Sequence, residues 1–122
     1  MRVPVLKQGP HLIASVQSAL TDDDLVELRD DLAELVGRHR SRGVVVDVTA
    51  LDVIDSFAAR TLRTIAYTIR LRGARTVIAG IQPDVAFAMV QLGLSLEGVA
   101  TALDLEEGLA FLTRRTTGEA GP

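Results

Sequence analysis

A chain of 122 residues, 48% hydrophobic and 24% charged, has the size and balance of one globular domain, able to bury roughly two-thirds of the surface its unfolded form exposes. A formal net charge of -3 and an aromatic content of 3% without Trp argue against a nucleic-acid partner, which calls for clustered cations and stacking rings. The absence of Cys excludes disulfides, thiolate metal sites and a cysteine nucleophile; no apolar run approaches the roughly 18 to 20 residues that span a bilayer, and no signal peptide is evident, so a cytoplasmic location is expected.

The chain opens with "VPVLK", a short edge strand in which Pro4 stands where a missing N–H is tolerated. Gly9-Pro10 reads as a turn into a second strand, "HLIASVQ", and the two are too close for a crossover, so a hairpin is expected. "TDDDLVELRDDLAELVGRHRSRG" is the clearest helix. Thr21 or Asp22 caps it, acids fill its first turn, and Leu25, Leu28, Leu32, Leu35 and Val36 form one stripe. Gly43 is read as its stop.

"VVVDV" is a continuous β-branched run, the mark of a strand buried on both faces. A second helix is predicted over 56–71, then a strand "TVIAG", then a third helix opened by Gln82-Pro83 and stopped at Gly93. "GVATA" is one more short strand, and "DLEEGLAFLTRR" a last helix capped by Asp104. Strands alternating with helices imply βαβ units and a mostly parallel sheet. The expected architecture is a small α/β sandwich of four or five strands and about four helices over residues 1–116, with a disordered tail over 117–122.

The stretch "VVVDVTALDVIDSFAAR" raises the functional question. An acid and a serine, Asp55-Ser56, stand where a strand-to-helix loop meets a helix start. The serine is open to three readings: a helix cap, a nucleophile, or a place where a phosphate is added and removed. Along this helix Ala58, Ala59, Leu62, Ile65, Ala66 and Ile69 gather on a core face. Ser56, Arg60, Arg63, Tyr67 and Arg70 gather within about 80° on the opposite face. No acid occurs between Ser56 and Asp84, so these cations are not neutralised within the helix. A phosphoserine at a helix start meets free N–H groups and the positive end of the dipole, and Arg60 lies one turn along. Asp55 would repel that phosphate, so modification would move charge at the loop, which is what a binding switch requires.

At these residues the chain resembles the STAS domain of bacterial anti-sigma factor antagonists. The likeness runs from "VPVLK" to "GLAFLTRR" and is most specific in "GVVVDVTALDVIDSFAARTL", "TVIAGIQPDVAFAMVQLG" and "TALDLEEGL". Within that family it looks like the RsbS-type scaffolds of the stressosome, a large cytoplasmic stress-sensing assembly. The resemblance implies a small STAS fold and a phosphorylation site at Ser56, preceded by Asp55. It further implies a partner serine kinase, held by the unphosphorylated scaffold and released on phosphorylation, with a stress sigma factor freed downstream. Larger STAS sensory paralogues are the implied co-assembly partners, in homo- or hetero-oligomers, and mean hydropathy of +0.27 suits a domain with an interface to cover. Asp55 is expected to shape the loop for the kinase, and Arg60 and Arg63 to contact the phosphate or the partner. Thr49, in the same loop, is expected to cap it through its hydroxyl.

Two other roles within the family are a simple antagonist that binds an anti-sigma kinase directly, and a small-ligand-binding STAS module. The first usually has small residues and a glycine after the serine, whereas Phe57-Ala58-Ala59 follows here. An enzyme is not expected. His11 and His39 have no partner at a recognisable spacing and read as structural, the glycines of a nucleophile elbow are missing around Ser56, and no metal-ligand or cofactor motif occurs.

Overall fold

Gly9 adopts φ 60 and, with Pro10, folds strand β1 (Val5–Gln8) back on β2 (His11–Ser15) as the expected antiparallel hairpin. The computed structural model describes residues 3–17 and 20–116; the tail expected over 117–122 lies outside the described residues. After β2 come α1 (Asp22–His39), β3 (Gly43–Asp47), α2 (Ser56–Leu71), β4 (Arg75–Ala79), α3 (Pro83–Gln91), β5 (Ala100–Ala102) and α4 (Leu105–Thr116). Among the described residues this makes four helices and one five-stranded sheet in the order β1-β2-β3-β4-β5, parallel from β2 onward.

Each crossover moves the chain one strand in the same direction. Crossovers of one hand that step one way must put their helices on one face of the sheet. Leu28 and Leu32 of α1, Leu62 and Ile65 of α2, and Val85 and Met89 of α3 accordingly share one core with Val44, Val46 and Ile78. The alternate strand residues Val45, Val77 and Ala79 face the other way and pack with Leu112 of α4. Val44, Val45 and Val46 are each 0% exposed, so the apolar run is buried on both faces as its composition predicts.

Of the two candidate caps for α1, Thr21 takes the position. Its hydroxyl accepts from Asp24 N at 3.1 Å while the Asp24 carboxylate accepts from Thr21 N at 3.1 Å, a reciprocal capping box. The stop differs from the sequence reading. Helix α1 ends at His39, and Arg40 takes the left-handed conformation with φ 51, its N–H bonded to Val36 O. Gly43 instead opens β3. A Cβ there would stand 2.9 Å from Leu112 and 3.1 Å from the His11 ring, so that glycine serves packing beneath α4. No described helix is long and apolar enough to cross a membrane.

His39 lies exposed in the last turn of α1, on the side of the apolar stripe but past its last buried residue, Val36. His11 is only 6% exposed, and burial holds its pKa below the ordinary 6.5. A depressed folded pKa means that the unfolded chain binds the proton more readily. The stability due to neutral His11 is therefore complete above about pH 6.5 and lost as pH falls through the folded value. Thermal midpoints measured between pH 7.5 and the carboxylate range are expected to fall below about pH 6.5 in the wild type. The slope is expected to flatten in His11→Gln; equal slopes would show that another group carries the dependence.

Candidate functional site

The loops that leave the C-terminal ends of β3 and β4 meet beside the start of α2. Asp47, the last residue of β3, turns back on its own loop: its Oδ1 accepts from Thr49 N at 3.0 Å and from the Thr49 hydroxyl at 2.6 Å. This is an Asx-type turn closed by a second contact. Thr49 thus caps the loop through its hydroxyl, as the sequence suggests. Gln82, at the start of α3, donates from Nε2 to Thr49 O at 2.7 Å and ties the two loops together. Gly80 has φ 84, and a Cβ on it would collide with the Thr49 hydroxyl, so only glycine fits there. Gly80 N–H donates to Ala102 O, which joins this corner to β5 as well.

Leu51 and Ile54 are buried and anchor the loop on the core between these turns, while Val53 between them is 72% exposed. The loop then reaches Asp55, and Asp55, not Ser56, is the N-cap of α2. Its backbone is extended, with φ -83 and ψ -177, and its Oδ1 accepts from Ala58 N at 2.8 Å. Ser56 occupies the first helical position and is exposed; its hydroxyl makes no hydrogen bond to a described residue. The cap reading of Ser56 is corrected by this geometry. A cap needs a residue outside the helix whose oxygen reaches the third amide, and Asp55 already holds that amide.

The predicted core face of α2 is borne out: Ala58, Ala59, Leu62, Ile65, Ala66 and Ile69 are all buried, and Thr61 joins them with its hydroxyl donating to Phe57 O at 2.9 Å. The opposite face divides. Arg60, one turn beyond Ser56, is exposed with no ion pair to a described residue. Arg63 is half-buried, and its Nη1 donates to Ser95 O at 2.7 Å. Tyr67 donates from its hydroxyl to Glu97 O at 2.9 Å. Arg63 and Tyr67 therefore fasten the segment before β5 to α2, whereas Ser56 and Arg60, at the other end, are unengaged among the described residues. Sequence periodicity groups these side chains correctly but carries no sign of the tethers, because their acceptors are backbone carbonyls about thirty residues away.

Ser56 stands between two shallow grooves. One, of about 150 Å³, runs between the start of α1 and the loop, lined by Leu25, Leu51, Val53 and Asp55 among others. The second, of about 320 Å³, runs between α1 and α2 and is lined by Val26, Arg29, Phe57, Arg60, Thr61 and Thr64. Both have apolar floors and charged rims, the character of a surface that receives a protein. Among the described residues no group of three or more His, Asp or Glu could hold a metal ion.

Asp55 carries two separable burdens here, a cap and a charge. Asp55→Ala is expected to lower stability to urea by about 1 kcal/mol, while Asp55→Asn, which keeps the acceptor, is expected to cost less than half of that. Equal losses in both variants would mean that the carboxylate charge, acting on the helix dipole, outweighs the cap bond.

The STAS domain family matches residues 2–108 of the chain. RsbS from Moorella thermoacetica, solved as a serine-to-glutamate variant, is 33% identical and superposes with a TM-score of 0.79, covering 93% of this chain and 96% of its own. A chain of a solved stressosome, described as a signal integration and transduction hub, is also 33% identical, with a TM-score of 0.77 over 93% of this chain and 99% of its own. The RsbT co-antagonist RsbRA of Bacillus subtilis is 34% identical over 82 residues, which are 67% of this chain and 30% of that protein. The match thus spans under a third of the length of that relative.

Proposed function

The chain belongs to the STAS domain family, and from that premise we propose that it is a non-enzymatic stressosome scaffold that binds a serine kinase and releases it when phosphorylated on Ser56. The observation that carries the reading is the division of labour at the start of α2. Asp55 takes the capping role and leaves the Ser56 hydroxyl exposed and unengaged among the described residues. The likeness to RsbS over nearly the full length of both chains supports the scaffold role, and the likeness to RsbRA supports larger STAS paralogues as co-assembly partners. A cytoplasmic location follows from that role.

The mechanism is a change of charge on a fixed surface. A phosphate on Ser56 adds about -1.5 to -2 charges at pH 7 beside the Asp55 carboxylate. One first-turn amide, Ala58 N–H, is already bonded to Asp55. The new group must share the helix end with a like charge or turn outward toward Arg60, one turn away on the same face. Either way the phosphate deepens the negative charge beside the groove that Asp55 lines and offsets the positive charge of the groove that Arg29 and Arg60 line, where the kinase docks. Phe57 supports the scaffold role over the simple-antagonist role: it packs against the core and lines the groove between α1 and α2, a place that a small residue or glycine would leave open.

The test is intact mass and co-elution after incubation with ATP and the serine kinase encoded nearest to the gene for this chain. One phosphate on the wild type, none on Ser56→Ala, and co-elution lost only from the phosphorylated protein is the expected result. A kinase that leaves the wild type unmodified, or stays bound to the phosphorylated form, would overturn the switch. Arg60→Gln is expected to weaken kinase binding several-fold without changing stability beyond about 0.5 kcal/mol.

A further inference from the structure

At the far end of α2 from Ser56 a small cleft lies between the last turns of the helix, the start of β4 and the segment that leads into β5. Its lining includes Tyr67, Arg70, Arg75, Thr76, Gly98 and Val99, and it holds about 40 Å³. A single water needs about 10–15 Å³ by the same measure, so the cleft has room for roughly three waters, or one tetrahedral oxyanion. We propose that this cleft binds a small free oxyanion of the phosphate class.

Three observations carry the assignment. Arg70 and Arg75 both line the cleft, no acid does, and neither guanidinium is hydrogen-bonded or ion-paired to a described residue. Forked guanidinium donors match oxyanion geometry, so an anion in the cleft would gain charge-assisted bonds from these lining residues. The second observation is Thr76. It is 7% exposed, and its Oγ1 is buried with no hydrogen-bond partner. In β4 it lies on the same face as Ile78, the face covered by α2, so its side chain is directed to the side on which the cleft lies. A buried hydroxyl left unsatisfied costs about 1–3 kcal/mol, and an oxyanion in the cleft would accept from it. The third is rigidity. The Tyr67 hydroxyl bond to Glu97 O and the Arg63 bond to Ser95 O hold the wall formed by residues 95–99 against α2, so the site is formed before a ligand arrives.

The cleft is separate from the phosphorylation site. Ser56 and Arg70 are fourteen residues apart on one helix, about 21 Å at 1.5 Å per residue. The inference therefore does not depend on the switch proposed above.

The experiment is an amide NMR titration of the full chain with inorganic phosphate, against potassium chloride at equal ionic strength. Saturable shifts confined to residues 66–76 and 98–100 are expected with phosphate and not with chloride. Arg70→Gln/Arg75→Gln is expected to lose at least tenfold in affinity, while Arg72→Gln, outside the cleft, binds as the wild type does. Thr76→Val is expected to weaken phosphate several-fold and to raise the thermal midpoint of the unliganded protein. Adenosine monophosphate, too large for the cleft, is expected to bind no more tightly than phosphate. Shifts that never saturate, shifts centred on Ser56, much tighter binding of the nucleotide, or unchanged affinity in the double arginine variant would each overturn the proposal.

Discussion

Burial of β3 on both faces is the constraint from which the rest of the architecture follows. Three successive valines with no exposure cannot be served by a single layer of helices. The sheet needs cover on both sides, and the chain provides it in the order of its elements. The crossovers α1, α2 and α3 cover one face because each steps the same way along the sheet. Only after β5 can the chain turn under the other face, where α4 brings Leu112 against Val45 and Val77. With one residue fewer in the run, register would shift, and every side chain of β3 would exchange faces. The same arrangement gathers the loops after β3 and β4 at the C-terminal ends of the parallel strands, so the candidate loop is placed by the core, not by its own sequence.

Within that frame Asp47 and Asp55 divide the loop between them. Asp47 closes its beginning through Thr49, and Gly80 and Gln82 pin that closure from the neighbouring crossover. Asp55 closes its end by capping α2. Each carboxylate accepts from a backbone amide of its own loop end through Oδ1. The first residue of the helix, Ser56, is left with a backbone already fixed and a hydroxyl that no described residue engages. A group with no structural duty on a rigid support can change its charge without unfolding what carries it. That separation is why the capping role of Asp55 bears on function as well as on stability.

Much of this was legible in the sequence, and the reasons differ by element. The span of α2 and its core face follow from a strict 3.6-residue period in Ala58, Leu62, Ile65 and Ile69. The hairpin follows from Gly9-Pro10 between two short apolar runs, and the double burial of β3 from its lack of alternation. What periodicity cannot supply is the identity of a cap when two capping residues are adjacent. Asp55 and Ser56 rank alike as caps, and the choice depends on where the buried Ile54 lets the chain enter the helix. The stop of α1 was misplaced for a similar reason: Gly43 carries the usual punctuation, but Arg40 makes the left-handed turn because Gly43 is needed under Leu112. The Arg63 and Tyr67 tethers and the pairing of Thr49 with Gly80 and Gln82 join positions about thirty residues apart. Only the fold brings those together.

The geometry also limits how far a charge change at Ser56 can act. The site is exposed, and at physiological ionic strength charges on such a surface are screened over about 8 Å. That distance reaches Asp55 and Arg60 and the rims of the two flanking grooves, but not Arg70, about 21 Å along the helix. Were Ser56 phosphorylated as proposed, a partner reading that charge would have to dock beside the start of α2, with its own charge within a few ångströms of Ser56. Long-range rearrangement is disfavoured by the same tethers that shape the distal cleft, since Arg63 and Tyr67 lock the middle of α2 to the segment before β5. On the proposed reading, a rigid helix whose first hydroxyl is unengaged among the described residues would pass information by presenting a different surface. The scaffold reading requires no more than that, because an assembly can let go of a partner without coming apart only if its subunits keep their shape.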